Sequence, residues 1–214
     1  MNPGTSTTEH FYPLPAVPLI AILRGLTPDE AVTVGQCLFD AGVRVLEVPL
    51  NRPGALACIT SLRAALPPDV LIGAGTVLSP QAVADVAAAG GELIISPDCN
   101  PEVIRTTRER GLWSLPGVST PTEAFAALRA GAQGIKIFPA EAVPPTVVKA
   151  WRAVLPAAVP VIPVGGITPE SLAGYTAAGA NGFGIGSQLY APGRGTDELA
   201  QRARAYVDAW KAVV

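Results

Sequence analysis

Histidine is almost absent from this 214-residue chain. The only one, His10, lies in a polar stretch near the start of the sequence. A Ser-His-Asp triad is therefore excluded, and a histidine-ligated metal centre is not expected. Any catalysis must rely on lysine, arginine, glutamate and backbone groups.

Cysteine is also sparse, and acidic and basic residues nearly balance. Cys37, Cys58 and Cys99 are odd in number and show no CxxC spacing, which argues against a disulfide framework or a zinc site. The net charge is -2 and the basic residues are dispersed, so no electrostatic footprint for nucleic acid or anionic lipid is present. We expect structural cysteines, no zinc site, and small metabolites as partners.

Long apolar runs are missing too, although 49% of the residues are apolar. No run reaches the roughly 18 residues that a spanning helix needs. Residues 1–18 lack both a cationic start and an apolar segment, so they do not read as a signal peptide. We predict a flexible leader over residues 1–16, one domain over residues 17–214, and a cytoplasmic protein that has no membrane partner.

Short apolar segments recur along the chain and predict eight strands. They span residues 17–24, 43–50, 69–76, 92–97, 112–117, 134–139, 160–166 and 182–187. Alanine-rich, helix-periodic segments lie between them, and some open with Ser/Thr-Pro and close with Gly, as helices do: 27–42, 79–90, 120–131 and 168–179.

Eight β/α units without an insertion predict an α/β protein with a (β/α)8 TIM barrel. A doubly wound open sheet is the alternative, but it would normally have fewer strands and a nucleotide-type glycine loop after the first one. No such loop follows the first predicted strand. In a barrel the reactive groups project from the carboxyl ends of the strands, so site residues are expected there.

Lys136 lies inside the apolar strand GIKIFP of a chain with only three lysines. Burial disfavours the ammonium form and lowers the pKa of a lysine, which frees its amine as a nucleophile. The alternative is a lysine whose stem packs while its head reaches solvent or pairs with a carboxylate.

Two further charged residues lie at predicted strand ends. Glu47, in VRVLEVPL, could carry protons for chemistry at Lys136, or it could form a structural ion pair. Arg24 closes the first strand, where its guanidinium could bind a carboxylate or phosphate, or form a surface ion pair.

Glycine loops follow the last two predicted strands. Gly165 and Gly166 follow the seventh, and Gly186 and Ser187 follow the eighth, where barrels often bind phosphate through backbone N–H groups. Either loop alone could be an ordinary turn. Thr76 ends the third strand and could bind a carboxylate or cap the next helix.

Six motifs in order from Glu47 to Ser187 resemble the KDPG/KHG aldolases, a class I family acting on 2-dehydro-3-deoxy-6-phospho sugar acids: EVPLN, GAGTV, LPGVSTPTE, KIFP, VGGITPE and GIGS. The resemblance spans roughly residues 17–210. It implies a homotrimer without metal or organic cofactor that cleaves the C3–C4 bond of its substrate, giving pyruvate and D-glyceraldehyde 3-phosphate.

The resemblance also implies a role for each candidate residue. Lys136 would form the Schiff base, and Glu47 would donate and accept protons. Arg24 and Thr76 would bind the substrate, and its phosphate would be held by Gly165, Gly166, Gly186 and Ser187.

Three positions separate the two branches of this family. The gluconate branch typically reads EVTLR and PTGGI, whereas this chain has Pro49, Asn51 and Val164 where Thr, Arg and Thr would stand. The chain therefore resembles the galactonate branch, which acts on the C4 epimer. A gluconate-type or bifunctional enzyme is the alternative, because Val164 only removes a hydroxyl that could select one epimer.

Two other functions share some of these features. A phosphate-binding barrel isomerase or synthase would need the glycine loops but not the buried lysine. A sugar-phosphate-binding barrel without catalysis would bind ligand and release no pyruvate.

Overall fold

The structure is a computed structural model that describes residues 14–214. His10 and residues 1–13 of the predicted leader lie outside the described residues. The strands are β1 (Leu19–Ile22), β2 (Val45–Pro49), β3 (Leu71–Gly75), β4 (Leu93–Ile95), β5 (Trp113–Leu115), β6 (Gly117–Val118), β7 (Ile135–Ile137), β8 (Val161–Pro163) and β9 (Phe183–Ile185). Each of the eight predicted segments contains a strand.

Helices alternate with these strands. They are α1 (Pro28–Asp40), α2 (Ala55–Ala65), α3 (Pro80–Ala88), α4 (Pro101–Glu109), α5 (Pro121–Arg129), α6 (Pro145–Arg152), α7 (Leu172–Ala177) and α8 (Thr196–Lys211), with 3-10 turns at Ala140–Ala142 and Pro169–Ser171. None of the helices in this described part of the chain is long and apolar enough to cross a membrane.

All strand pairs are parallel. The strands form a six-stranded sheet in the order β5-β4-β3-β2-β1-β9 and a three-stranded sheet in the order β6-β7-β8. An α/β fold with a curled parallel sheet and eight helices is thus confirmed. The full barrel ring that the sequence predicts is not, because the larger sheet is a half-barrel.

The breaks between the two sheets have local causes. Pro116 has no backbone N–H, and the predicted fifth strand splits around it into β5 and β6. On the other side β8 ends at Pro163, and beyond it a single bridge joins Val164 to Gly184 of β9.

Alternate residues of the strands build two cores. Side chains on the inner face pack into one cluster: Ile20, Ile22, Val45, Leu93, Ile95, Leu115, Ile162 and Val164. The outer face packs against the helices in a larger cluster that includes Leu19, Leu46 and Phe183. Since successive strand residues point to opposite faces, a polar residue between two outward apolar ones must face inward.

The predicted helix signals are confirmed. Thr27, Ser79, Thr120 and Thr168 are N-caps, each followed by proline. Glycines just past four helix ends have positive φ, which costs glycine little: Gly42, Gly90, Gly131 and Gly179. These turns return the chain to the amino end of the sheet, so the opposite edge is left for loops that build a site.

The described end of the predicted leader contacts the sheet and α8. Leu14 packs against the inner cluster. The carbonyl of Ala16 accepts a hydrogen bond from Nε1 of Trp210 at 3.0 Å. Residues 14–16 therefore belong to the packed part of the molecule.

Candidate active site

Lys136 on β7 and Glu47 on β2 both face the interior of the curled sheet. The residues on either side of each of them pack outward against the helices: Ile135, Ile137, Leu46 and Val48. Lys136 is 7% exposed and Glu47 is 3% exposed. Both line a narrow inner cavity whose other walls are apolar. The structure thus brings together the two residues proposed for catalysis and buries the head of the lysine.

Glycines around the cavity leave room for the carboxylate. Strands β2 and β3 pair so that Gly73 lies opposite Glu47, with Gly75 two residues further along β3. A Cβ added to Gly75 would overlap Oε1 of Glu47. Packing against the Glu47 side chain therefore requires glycine at position 75, the second glycine of the GAGTV motif.

The buried pair shifts both pKa values. Burial lowers the pKa of Lys136, while the carboxylate of Glu47 raises it and the charge of Arg24 lowers it again. Burial raises the pKa of Glu47, against the opposing charges of Lys136 and Arg24. Nζ of Lys136 lies 4.8 Å from the ring centroid of Phe138. Both shifts favour the neutral forms, an amine that can act as a nucleophile and a carboxyl group that can hold a proton.

An open cleft of about 330 Å³ adjoins the inner cavity at the carboxyl ends of the strands. Val164 and Gly184 line both spaces, so the cleft and the cavity meet there. Arg24 lines the cleft and is exposed. Within residues 14–214 it forms no salt bridge, so its charge is available to a ligand.

The four residues predicted to bind phosphate also line the cleft: Gly165, Gly166, Gly186 and Ser187. The two loops that carry them come from separate strands, β8 and β9. Gly165 and Gly166 have φ of 117° and 62°, which other residues adopt only with strain. Backbone N–H groups in such loops suit an anion.

Thr76 follows β3 at the same edge of the sheet. Its φ is 57°, unusual for a β-branched residue, and such strain tends to persist at functional sites. The alternative that it caps the next helix is wrong, because Ser79 does so by accepting a hydrogen bond from the N–H of Ala82 at 3.2 Å.

The sequence did not single out Glu141, which lines the cleft. A Cβ on Gly165 would overlap its Oε2, and one on Gly166 would lie 2.9 Å from its Cγ. The absence of a Cβ at both glycines therefore leaves space for the carboxylate of Glu141, in addition to any ligand in the cleft. The signal was present in the sequence, since Glu141 follows Lys136 by five residues in KIFPAE.

Sequence reasoning also missed a pair of residues near the cleft. Tyr190 lines the cleft and donates its hydroxyl to Oε1 of Glu30 at 2.9 Å. The same carboxylate oxygen accepts the N–H of Thr27 at 3.1 Å. No local pattern could have revealed this contact, because 160 positions separate the two residues.

The three cysteines are unpaired by disulfides, and each donates a hydrogen bond to a backbone carbonyl. Across the part of the chain that the structure describes, no three His, Cys, Asp or Glu side chains gather where they could hold a metal ion.

Known proteins are similar to this chain in both sequence and fold. A family model described as KDPG and KHG aldolase matches residues 13–201. The 2-dehydro-3-deoxy-6-phosphogalactonate aldolase of Escherichia coli (strain K12) is 47% identical over 198 residues, which cover 92% of this chain and 97% of that protein.

Solved structures give the same relationship. One described as native KDPGal is 46% identical with a TM-score of 0.91, over 93% of this chain and 97% of that one. The KDPG aldolase from Legionella pneumophila, captured with pyruvate as a covalent carbinolamine, is 30% identical with a TM-score of 0.76, over 92% and 94% of the two chains.

Proposed function

This chain belongs to the KDPG and KHG aldolase family and is a lyase, and we propose that it cleaves 2-dehydro-3-deoxy-6-phospho-D-galactonate to pyruvate and D-glyceraldehyde 3-phosphate. The observation that carries the proposal is the burial of Lys136 and Glu47 in one cavity, beneath a cleft that is lined by two glycine loops. A phosphate-binding isomerase or synthase would not need that lysine.

Lys136 starts the reaction as the nucleophile. Its neutral amine attacks the C2 ketone, and the resulting carbinolamine loses water to give an iminium ion. The lowered pKa supports this role, because a larger share of the amine is unprotonated near neutral pH.

Glu47 moves the protons. As a carboxylate it takes the proton of the C4 hydroxyl, directly or through a water, while the C3–C4 bond breaks and its electrons pass to the iminium nitrogen. D-glyceraldehyde 3-phosphate leaves. The protonated Glu47 then delivers that proton to C3 of the enamine, and water hydrolyses the new iminium ion to pyruvate. The raised pKa supports both the acid and the base role.

The rest of the substrate would lie along the cleft. Arg24 and Thr76 bind the carboxylate end, and the N–H groups of the two glycine loops bind the phosphate. Arg24 also disfavours protonation of Lys136, which supports a position close to the reacting end. Binding would use only groups of the protein, without a metal or an organic cofactor.

Val164 bears on the choice between C4 epimers. It lies where the cavity meets the cleft, which is where the C4 hydroxyl of a substrate extended from Lys136 towards the glycine loops would lie. An isopropyl group cannot hydrogen-bond that hydroxyl, so selection of the gluconate epimer is weakened. An enzyme that accepts both epimers is therefore the second candidate.

We extend the proposal to the architecture and the assembly. Residues 17–214 form one domain in which the two sheets act as a (β/α)8 barrel; the inner cluster, which contains side chains from both sheets, supports this. A homotrimer is supported by large apolar side chains at the surface, including Leu56 and Leu78. The free cysteines support a cytoplasmic location.

Side-by-side kinetics test the substrate. We expect a higher kcat/KM for the 6-phosphogalactonate form of the 2-dehydro-3-deoxy acid than for the 6-phosphogluconate form, with released pyruvate measured by a coupled dehydrogenase. Val164→Thr should shift the ratio towards the gluconate form. Equal rates in the wild type would favour the bifunctional enzyme, and no pyruvate from either substrate would contradict the aldolase.

A further inference from the structure

The chain that leaves β9 forms a tight turn at the cleft. The carbonyl of Gly186 accepts hydrogen bonds from the N–H groups of Leu189 and Tyr190 at 2.9 and 3.0 Å. As in the first turn of a helix, the N–H groups of Ser187 and Gln188 have no partner within the turn. They belong to residues that line the cleft.

Two arginines bind the carbonyls of this turn. Nη1 of Arg194 donates to the carbonyls of Ser187 and Leu189, at 3.2 and 2.6 Å. Nη1 of Arg202, on α8, donates to the carbonyl of Gln188 at 2.8 Å. Three consecutive carbonyls are thus held by guanidinium groups.

A carboxylate fixes both guanidinium groups. Oε1 of Glu198 lies 3.2 Å from Nε of Arg194 and 2.8 Å from Nε of Arg202. Arg194 is largely buried, with 14% of its side chain exposed. Neither arginine is among the residues that line the cleft, so neither is placed to contact a ligand there.

A peptide group has its N–H opposite its carbonyl. The carbonyl of Ser187 and the N–H of Gln188 belong to one peptide group, so when Arg194 holds this carbonyl the N–H points the other way, and Gln188 lines the cleft. The carbonyls of Gln188 and Leu189 share their peptide groups with the N–H groups that donate to Gly186, so the arginines that bind them hold the turn closed. The positive charge of Arg194 also polarises the peptide group between Ser187 and Gln188, which makes the N–H of Gln188 a better donor to an anion. We propose that Arg194 and Arg202 are positioning residues that orient this turn for the phosphate group of the substrate.

This inference rests on the proposed function only for the identity of the substrate. Arg194 should contribute more than Arg202, because it binds two carbonyls and is less exposed. Arg204 provides a matched control. It lies on α8, as Arg202 does, and is exposed, and among the described residues it binds no carbonyl of the turn.

The test compares Arg194→Ala, Arg202→Ala and Arg204→Ala in the full-length protein. For Arg194→Ala we expect KM for the phosphorylated sugar acid and Ki for inorganic phosphate to rise about tenfold, as loss of charge-assisted hydrogen bonds implies. The kcat should stay within about twofold, because Lys136 and Glu47 are untouched. The kcat/KM for the unphosphorylated sugar acid should match that of Arg204→Ala.

Arg194→Lys separates orientation from charge. A lysine keeps the charge but cannot bind both carbonyls and Glu198 in a fixed fork, so the variant should remain impaired. Full recovery in Arg194→Lys would overturn the proposal, as would equal phosphate affinities for Arg194→Ala and Arg204→Ala.

A matching loss with the unphosphorylated acid would also overturn the proposal, because it would indicate general damage to the loop. If the wild type releases no pyruvate, the proposed function fails. In that case calorimetric titration of the variants with inorganic phosphate still decides this inference.

Discussion

At the residue scale, the reactivity proposed for Lys136 follows from its surroundings. Apolar walls lower its pKa, and Glu47 in the same cavity limits the shift without cancelling it. A lysine at the protein surface would be a charged, unreactive ammonium at neutral pH. Strand β7 therefore does more than position Lys136, because it also keeps the amine away from water.

Thr76 provides a test at the same scale. Its φ of 57° strains a β-branched residue, and glycine removes that strain. Thr76→Gly should therefore stabilise the protein by about 1 kcal/mol and lower kcat/KM about tenfold through loss of the hydroxyl. Thermal denaturation and pyruvate release check the two effects.

Thr76→Ala is the matched variant, because it loses the hydroxyl but keeps a Cβ. It should show the same loss of activity without the gain in melting temperature. Wild-type activity in both variants would mean that the hydroxyl does not bind the substrate.

At the scale of the elements, the strands provide pairs of facing positions. Glu47 on β2 can occupy the cavity only because β3 carries glycine at position 75. The cleft depends in turn on loops after β1, β8 and β9, whereas the glycine turns that end the helices lie on the opposite side of the sheet. The strands thus carry the two residues proposed to react, and the loops carry the residues proposed to bind the substrate.

Gly75→Ala tests this dependence. The added Cβ would overlap Oε1 of Glu47 and displace its carboxylate, so we expect kcat/KM to fall on the order of a hundredfold. Gly195→Ala is the control, since a Cβ there meets nothing within 4 Å. Similar activity in the two variants would show that the position of Glu47 is not critical.

At the scale of the whole molecule, the buried site affects stability. Burial raises the pKa of Glu47, so the native state favours the neutral carboxyl. Below about pH 4.3 the group is neutral in both the native and the unfolded state. As pH rises from there through the raised native pKa, the buried group must ionise. The free energy of unfolding therefore falls over this pH range.

Glu47→Gln removes that loss. The gain in its free energy of unfolding over the wild type, measured by denaturant titration, should be small near pH 4.5 and larger at pH 8, by about 1.4 kcal/mol for each unit by which the pKa is raised. Glu109→Gln, an exposed replacement on α4, should show no such trend. A gain that does not change with pH would contradict the assigned direction.

Local patterns predicted much of this molecule. The strand windows, the Ser/Thr-Pro helix starts and the glycine turns depend on neighbours a few positions away. Lys136 stood out because a charge inside an apolar strand is rare. Pro116 carried a readable signal as well, since it cannot donate to a sheet, and it divides the predicted fifth strand.

Other features depend on the register of distant strands. The fit of Gly75 beneath Glu47 and the contact between Tyr190 and Glu30 require the folded chain. The same holds for the arginines behind Ser187, whose targets are backbone carbonyls without a sequence signature. Sequence therefore predicted the candidate catalytic residues better than the groups that hold them in place.

Borohydride trapping tests the central claim most directly. The full-length protein is incubated with pyruvate, reduced with sodium borohydride, and digested for peptide mass spectrometry. The account predicts one reduced pyruvate adduct, on Lys136, and none in Lys136→Ala. An adduct on the exposed Lys149 or Lys211, or no adduct with active protein, would contradict it.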